Sequence, residues 1–386
     1  MIELRGITWD HTRGYLPMVA TAQRFSELNP RIGISWEKRA LQRFADWQIE
    51  QLADHFDLLV IDHPFVGTAA ECGCLLPLDE HLPEAFLAEQ TASSVGRSHE
   101  SYFFGRHQWA LAIDAAAPVS GWRPDLIEAA RAHVPETWQE LLELARRGLV
   151  TIPGVPIDSL MNFYMLCLAI GEEPFQHSGA VVSMETGLRA LGMLRELAGL
   201  VSSECATRNP IALWEELSSG DSAALCPFAY GYSNYSRPGY AKHILEFGGL
   251  IGIEGRRCRS TLGGAGLAVS SRCEQPGAAV EYCRFVASSA CQAGLYFESG
   301  GQPGHRRAWL DPEVNRRSNQ FFQNTLATVD EAWLRPCCHG YLDFQDAAGP
   351  IVHECIWRGG DASAAIERLN GMAARLKTTA DLEYVP

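Results

Sequence analysis

Residues 56–61, Phe-Asp-Leu-Leu-Val-Ile, form an apolar run of the kind that few folds accommodate. A strand written this way is buried on both faces, as in a parallel sheet covered by helices on either side. The text before it agrees. Ile2 to Trp9 alternates apolar and polar residues as a half-buried strand does, and Tyr15 to Leu28 carries apolar residues at helical spacing up to Asn29-Pro30. Gly33 to Trp36 reads as a short second strand and Asp46 to His55 as a helix. Strand, helix, strand, helix, strand in this order implies right-handed crossovers and a parallel α/β sheet.

Further on, Trp109 to Ile113 reads as another strand, ending at Asp114. Thr137-Trp-Gln-Glu140 is a capping box, in which the hydroxyl and the carboxylate satisfy each other's backbone N–H groups. Helices are expected at Leu160–Ile170, Glu185–Ala198, Ile211–Leu217, Gly277–Ala287, Asn315–Leu326 and Ala362–Leu376. Leu262 to Val269 is glycine-rich and then strand-like. At 386 residues the chain has room for two or three domains. Yet no low-complexity linker separates two halves and no repeat is visible, so the chain is expected to pass between lobes more than once.

Several function classes are disfavoured. With 46 acidic against 32 basic residues, a net charge of −14 and no basic run, the sequence lacks the clustered Lys and Arg that nucleic acid requires. The longest apolar stretch, Leu160 to Ile170, is interrupted by Asn162 and is too short to span a bilayer. The text from Met1 has no basic n-region, apolar h-region or small-residue cleavage site. With twelve cysteines and no Cys-x-x-Cys, it fits a reducing compartment. The expected location is therefore cytoplasmic as the sequence stands, or periplasmic if Met1 is not the native start. Cys337-Cys338-His339 and His353-Glu354-Cys355 gather soft ligands, but the spacings are not those of zinc sites, and buried thiols with surface histidines are expected. No cofactor and no metal is expected.

Five motifs in order resemble the extracytoplasmic solute-binding proteins of ABC importers, the group that includes maltose-binding protein. They are Phe56–Asp62 followed by Gly73-Cys-Leu-Leu-Pro-Leu-Asp-Glu80; Gln108-Trp-Ala-Leu-Ala-Ile-Asp114; Pro135-Glu-Thr-Trp-Gln-Glu-Leu141; and Gly263-Gly-Ala-Gly-Leu-Ala-Val-Ser270 with the Ala278-Ala279 helix after it. The resemblance covers nearly the whole chain. It implies a two-lobe periplasmic-binding-protein-like fold of type II, with a ligand held in the interlobe cleft. Carried over, lobe one is residues 1–113 with 259–305, and lobe two is residues 114–258 with 306–386. It also implies a small polar ligand, most commonly a carbohydrate, an ABC permease as partner, and a monomer. Against the family's pattern, no secretion leader is expected in the text from Met1, and Pro118-Val-Ser-Gly-Trp122 follows the crossover strand.

In open α/β sheets ligands sit beyond the carboxyl ends of the strands. Three expected strand ends carry an aspartate: Trp9-Asp10-His11, Ile61-Asp62-His63 and Ile113-Asp114. Asp10 and Asp62 precede helices, so each is either a helix cap or a ligand contact; Asp114 has no helix directly after it and reads as a ligand contact. Aromatic faces form a second set, with Tyr230, Tyr232 and Tyr235 in one loop and Trp9, Tyr15, Phe65, Trp109 and Trp122 near strand ends. Such faces stack on sugar rings or enclose a cation, and core packing is the competing role for each. Gln302 lies in the glycine-rich Ser299–His305 loop, which either closes over a ligand or simply turns. The ligand set is therefore Trp9, Asp10, His11, Asp62, His63, Trp109, Asp114, Tyr230, Tyr232, Tyr235 and Gln302, and the ligand a sugar or a cationic small molecule.

The alternative is a cytoplasmic enzyme on the same fold, using the Asp10-His11 or Asp62-His63 pair for acid–base work. A thiaminase of this fold uses a cysteine near the crossover strand, where this chain reads Asp114-Ala-Ala-Ala117. No nucleophile elbow, Walker loop or His-Glu-x-x-His occurs.

Overall fold

The computed structural model describes residues 1–39, 48–177 and 179–376. Eight strands organise the site: β1 (Ile2–Trp9), β2 (Ile32–Arg39), β3 (Leu58–Ile61), β4 (Leu111–Ala116), β5 (Pro118–Trp122), β6 (Leu225–Tyr230), β7 (Glu246–Gly248) and β8 (Gly263–Val269). The first sheet has the order β2-β1-β3-β8-β4. β1 runs parallel to β2, in register from Ile2 opposite Ile32 to Trp9 opposite Arg39, and parallel to β3. β8 lies antiparallel to both β3 and β4, so β1, β3 and β4 point the same way and end on one edge. All four residues of β3 are buried, as its unbroken apolar text requires, and so are all six of β4, where Asp114 is the one polar residue.

The second sheet has the order β6-β5-β7, both neighbours antiparallel to β5. Only Ala117 separates β4 from β5, so the chain passes from one sheet to the other across a single buried residue. It returns near residues 260–262, where Leu262 N–H donates to Trp333 O (2.7 Å) and Trp333 N–H donates to Ser260 O (2.7 Å). Two large cores follow. Leu4, Phe25, Leu58, Leu111, Leu267 and Tyr282 pack about the first sheet; Leu141, Phe163, Leu191, Leu225, Phe344 and Ile366 form the second. A third cluster, with Val119, Trp214, Phe247, Trp309 and Phe321, fills the space beside β5.

The Thr137 capping box is formed in full. The expected helix Asn315–Leu326 is instead two, Pro312–Arg317 and Phe321–Asp330, because Asn319 and Gln320 both adopt positive φ (48° and 61°) and reverse the chain. The crossover strand begins at Leu111 and runs on through Asp114 to Ala116, and Trp109 lies outside it. Ile49–His55 is helical; Asp46, where that helix was expected to begin, lies outside the described residues. Among the described residues no helix is long and apolar enough to cross a membrane, and no group of three His, Cys, Asp or Glu could hold a metal ion. All twelve cysteines are free thiols.

Candidate ligand-binding cleft

A cleft of about 740 Å³ opens beyond the ends of β1, β3 and β4. Trp9, Asp62 and Asp114 supply one wall. The other comes from the start of the Pro156–Ile170 helix, from Asn209 and Pro210, and from Tyr230 and Tyr232 past the end of β6. Val60, Ile61 and Phe65 add apolar surface, and a size of this order suits a small organic ligand.

The two cleft aspartates are not free acceptors. Arg13, 4% exposed, donates from Nε to Asp114 Oδ2 (2.8 Å) and from Nη2 to Asp114 Oδ1, and its Nη1 donates to Gly231 O (2.9 Å). Its guanidinium also lies over the Tyr232 ring, 4.6 Å from the centroid. Burial opposes the Arg13 charge, but Asp114 more than offsets that and raises its pKa. At the next strand end, Arg335 Nη2 donates to both oxygens of Asp62 (2.9 and 2.7 Å), while Nη1 donates to Gln345 Oε1 (2.9 Å). Burial alone would raise the Asp62 carboxyl; Arg335 outweighs it and holds the group well below the usual carboxylate range. Each carboxylate is thus already neutralised by an internal guanidinium.

What the walls leave unsatisfied is more informative. Trp9 Nε1 and Arg335 Nε are buried donors with no hydrogen-bond partner among the described residues, and Asp158 Oδ2 is a buried acceptor in the same position. Asp158 stands in the first turn of the Pro156–Ile170 helix and is 5% exposed; burial raises its pKa to about 8. Such groups normally find a partner when buried. Tyr230 is oriented at both ends, its carbonyl accepting from Trp214 Nε1 (2.7 Å) and its hydroxyl 3.3 Å from Thr261 Oγ1. Gly263 leaves room for that ring, since a Cβ there would lie 2.5 Å from it.

Of the eleven residues singled out from the sequence, Trp9, Asp62, Asp114, Tyr230 and Tyr232 come together on the cleft walls. The other six have different surroundings. Asp10 is half exposed and accepts from Lys38 Nζ (2.7 Å). His11, not Asp10, caps the Thr12–Leu28 helix, its Nδ1 accepting from Arg13 N–H (3.0 Å); it packs edge-on against Tyr232, and burial lowers its pKa to about 4. His63 is buried behind Asp62, with its pKa lowered by burial and by Arg335. Trp109 donates to Phe104 O (2.8 Å), and Tyr235 Oη donates to Glu215 (3.0 Å). Gln302 is buried, donating to Ala115 O (2.9 Å) and Gly231 O (3.2 Å) and accepting from Ser233 N–H (2.9 Å), so it ties β4 to the turn after β6. Sequence reasoning missed Arg13, Arg335 and Asp158. Asp158 had one signal, a carboxylate after Val155-Pro156, which reads as an ordinary helix start.

This architecture, two α/β lobes about one cleft, is the type II fold of the maltose-binding-protein-like solute-binding proteins of ABC importers. T. maritima MalE3, solved with maltose, matches with a TM-score of 0.85 at 19% identity, covering 97% of this chain and 99% of that one. A solute-binding protein of Agrobacterium radiobacter K84 in complex with ribitol matches at 0.83 and 16%, covering 97% and 98%. UgpB from Mycobacterium tuberculosis with glycerophosphocholine matches at 0.79 and 16%, again covering 97% and 98%. No protein-family model matches the chain.

Proposed function

We propose that this protein is a solute-binding protein that closes its two lobes on a small polar ligand, a carbohydrate or a compound of similar polarity, and delivers it to an ABC permease. Its lobes are residues 1–116 with 259–305, the first-sheet strand β4 ending at Ala116 and not at the expected boundary of 113, and 117–258 with 306–386. The observation that carries the reading is the set of buried polar atoms left without a protein partner on the cleft walls, Trp9 Nε1, Arg335 Nε and Asp158 Oδ2, beside the rings of Trp9, Phe65, Tyr230 and Tyr232. Rings present flat apolar faces while the unpaired groups fix hydroxyls, which is the division of labour a polyhydroxylated ligand needs. The arginine–aspartate pairs hold these walls in place before any ligand arrives, so little ordering cost is left for binding. The similar structures with maltose, ribitol and glycerophosphocholine support a polar, oxygen-rich ligand.

Calorimetric titration and thermal shift against maltose, ribitol, mannitol, tagatose, glycerophosphocholine and simple amino sugars test this. A true ligand at 100 times its Kd should stabilise the protein by about 2.7 kcal/mol. Absence of heat and of any shift across the whole panel would sink the proposal.

A further inference from the structure

The cleft is lined by six carboxylates, Glu50, Asp62, Asp114, Asp158, Asp343 and Asp346, against two guanidiniums, Arg13 and Arg335. Both guanidiniums are spent on Asp114 and Asp62. Among the described residues no ion pair engages the remaining four acids, so Glu50, Asp343 and Asp346 give the cleft a negative field that Asp158 joins once it ionises. One of the four is not a solvated surface group: Asp158 is 95% buried, has an unpartnered Oδ2 and lies on the cleft wall. Asp343 and Asp346 are exposed, one helical turn apart on the Tyr341–Arg358 helix, and extend the negative field outward.

Resting on the solute-binding reading, we propose that the cleft selects a positively charged solute, an ammonium group carried on a small hydroxylated frame, and that Asp158 is the specificity-determining residue that receives the charge. A neutral sugar would leave that field unbalanced, whereas an ammonium pairs with the Asp158 carboxylate and exploits the ring face of Tyr230. Hydroxyls on the same ligand accept from Trp9 Nε1 and Arg335 Nε. Burial raises the Asp158 carboxyl to about 8, so near neutrality the empty cleft holds it protonated. On binding, the O–H bond of Asp158 breaks, its proton passes to the buffer, and the carboxylate pairs with the cation. The titratable groups that feel Asp158 are Tyr230, Tyr232 and Cys226. All three have raised pKa values, first through burial, and remain neutral in this range. Arg13 and Arg335 share the cleft and stay paired.

Glucose against glucosamine, which exchange a hydroxyl for an ammonium on one ring, and choline as a cation that does not titrate, provide the test. We expect glucosamine to bind at least roughly tenfold more tightly than glucose, the value of one charge-assisted contact. Choline affinity should rise between pH 6 and 9, and titrations in buffers of different ionisation enthalpy should show proton release near neutrality. Asp158→Asn should cut the preference for glucosamine to within about threefold and abolish the pH dependence, with an unchanged circular dichroism spectrum showing that it folds. Equal affinities for glucose and glucosamine, or cation binding that Asp158→Asn leaves intact, would overturn the inference. Binding of maltose or ribitol with none of either cation overturns it as well but leaves the solute-binding reading standing. Silence from every compound removes both.

Discussion

At the residue scale the decisive facts are pairings between groups far apart in the chain. Asp62 and Asp114 were legible as cleft residues because an aspartate at the end of an apolar run is visible in the sequence. Their partners were not, since Arg335 is 273 residues from Asp62 and Arg13 is 101 from Asp114. No local spacing connects them, and their effect is to turn two apparent ligand acceptors into scaffold. The Arg13–Asp114 pair is nearly inaccessible, at 4% and 1% exposure, whereas Asp62 keeps 34% of its side chain open to the cleft. Arg13→Met, which strands a buried carboxylate, should therefore cost about 3–5 kcal/mol in urea unfolding, and the double change Arg13→Met with Asp114→Leu should recover most of it. Arg335→Met should cost less, because the half-open Asp62 regains water.

At the level of elements, buried strands and the capping box were readable because each writes its requirement locally: unbroken apolar text for β3, an apolar run up to Asp114 for β4, Thr and Glu three apart for the helix start. The break at Asn319-Gln320 was not, because left-handed backbone at two non-glycine residues is imposed by packing on either side. The same applies to the bulge in β8 between Ala265 and Gly266. There Gly264 adopts φ +120°, and a Cβ would lie 2.3 Å from Asp114 O, so the glycine lets β8 press against the strand that carries the cleft aspartate. Gly264→Ala meets both the unfavourable backbone region and that carbonyl. It should cost roughly 1–3 kcal/mol, which a thermal melt would show as a fall of several degrees. A melt unchanged within one degree would mean that β8 does not bear on β4 in this way.

For the molecule as a whole, acid should be the weak side. His11 and His99 have pKa values lowered to about 4 by burial, and His63 is lowered in the same direction. Their unfolded counterparts protonate near 6.5, so the unfolded chain takes up protons that the native state refuses, and stability should fall as pH drops from about 6.5 to about 4. Asp62 has the depressed value of an ion-paired carboxylate; its contribution is present above about 4 and is lost as pH falls further. Urea midpoints at pH 7.5, 6, 5 and 4 should therefore decline throughout that range, and a flat profile down to pH 5 would contradict the buried-histidine account. The interlaced chain path has a separate consequence for biosynthesis. β8 sits between β3 and β4, yet it is encoded after β5, β6 and β7. A growing chain that has already emerged through Ala116 must wait for residues 263–269 before β3 and β4 gain a shared neighbour. At about 5–20 residues per second the ribosome leaves those two apolar edges uncovered for on the order of ten seconds, and it is there that a chaperone would have to stand guard.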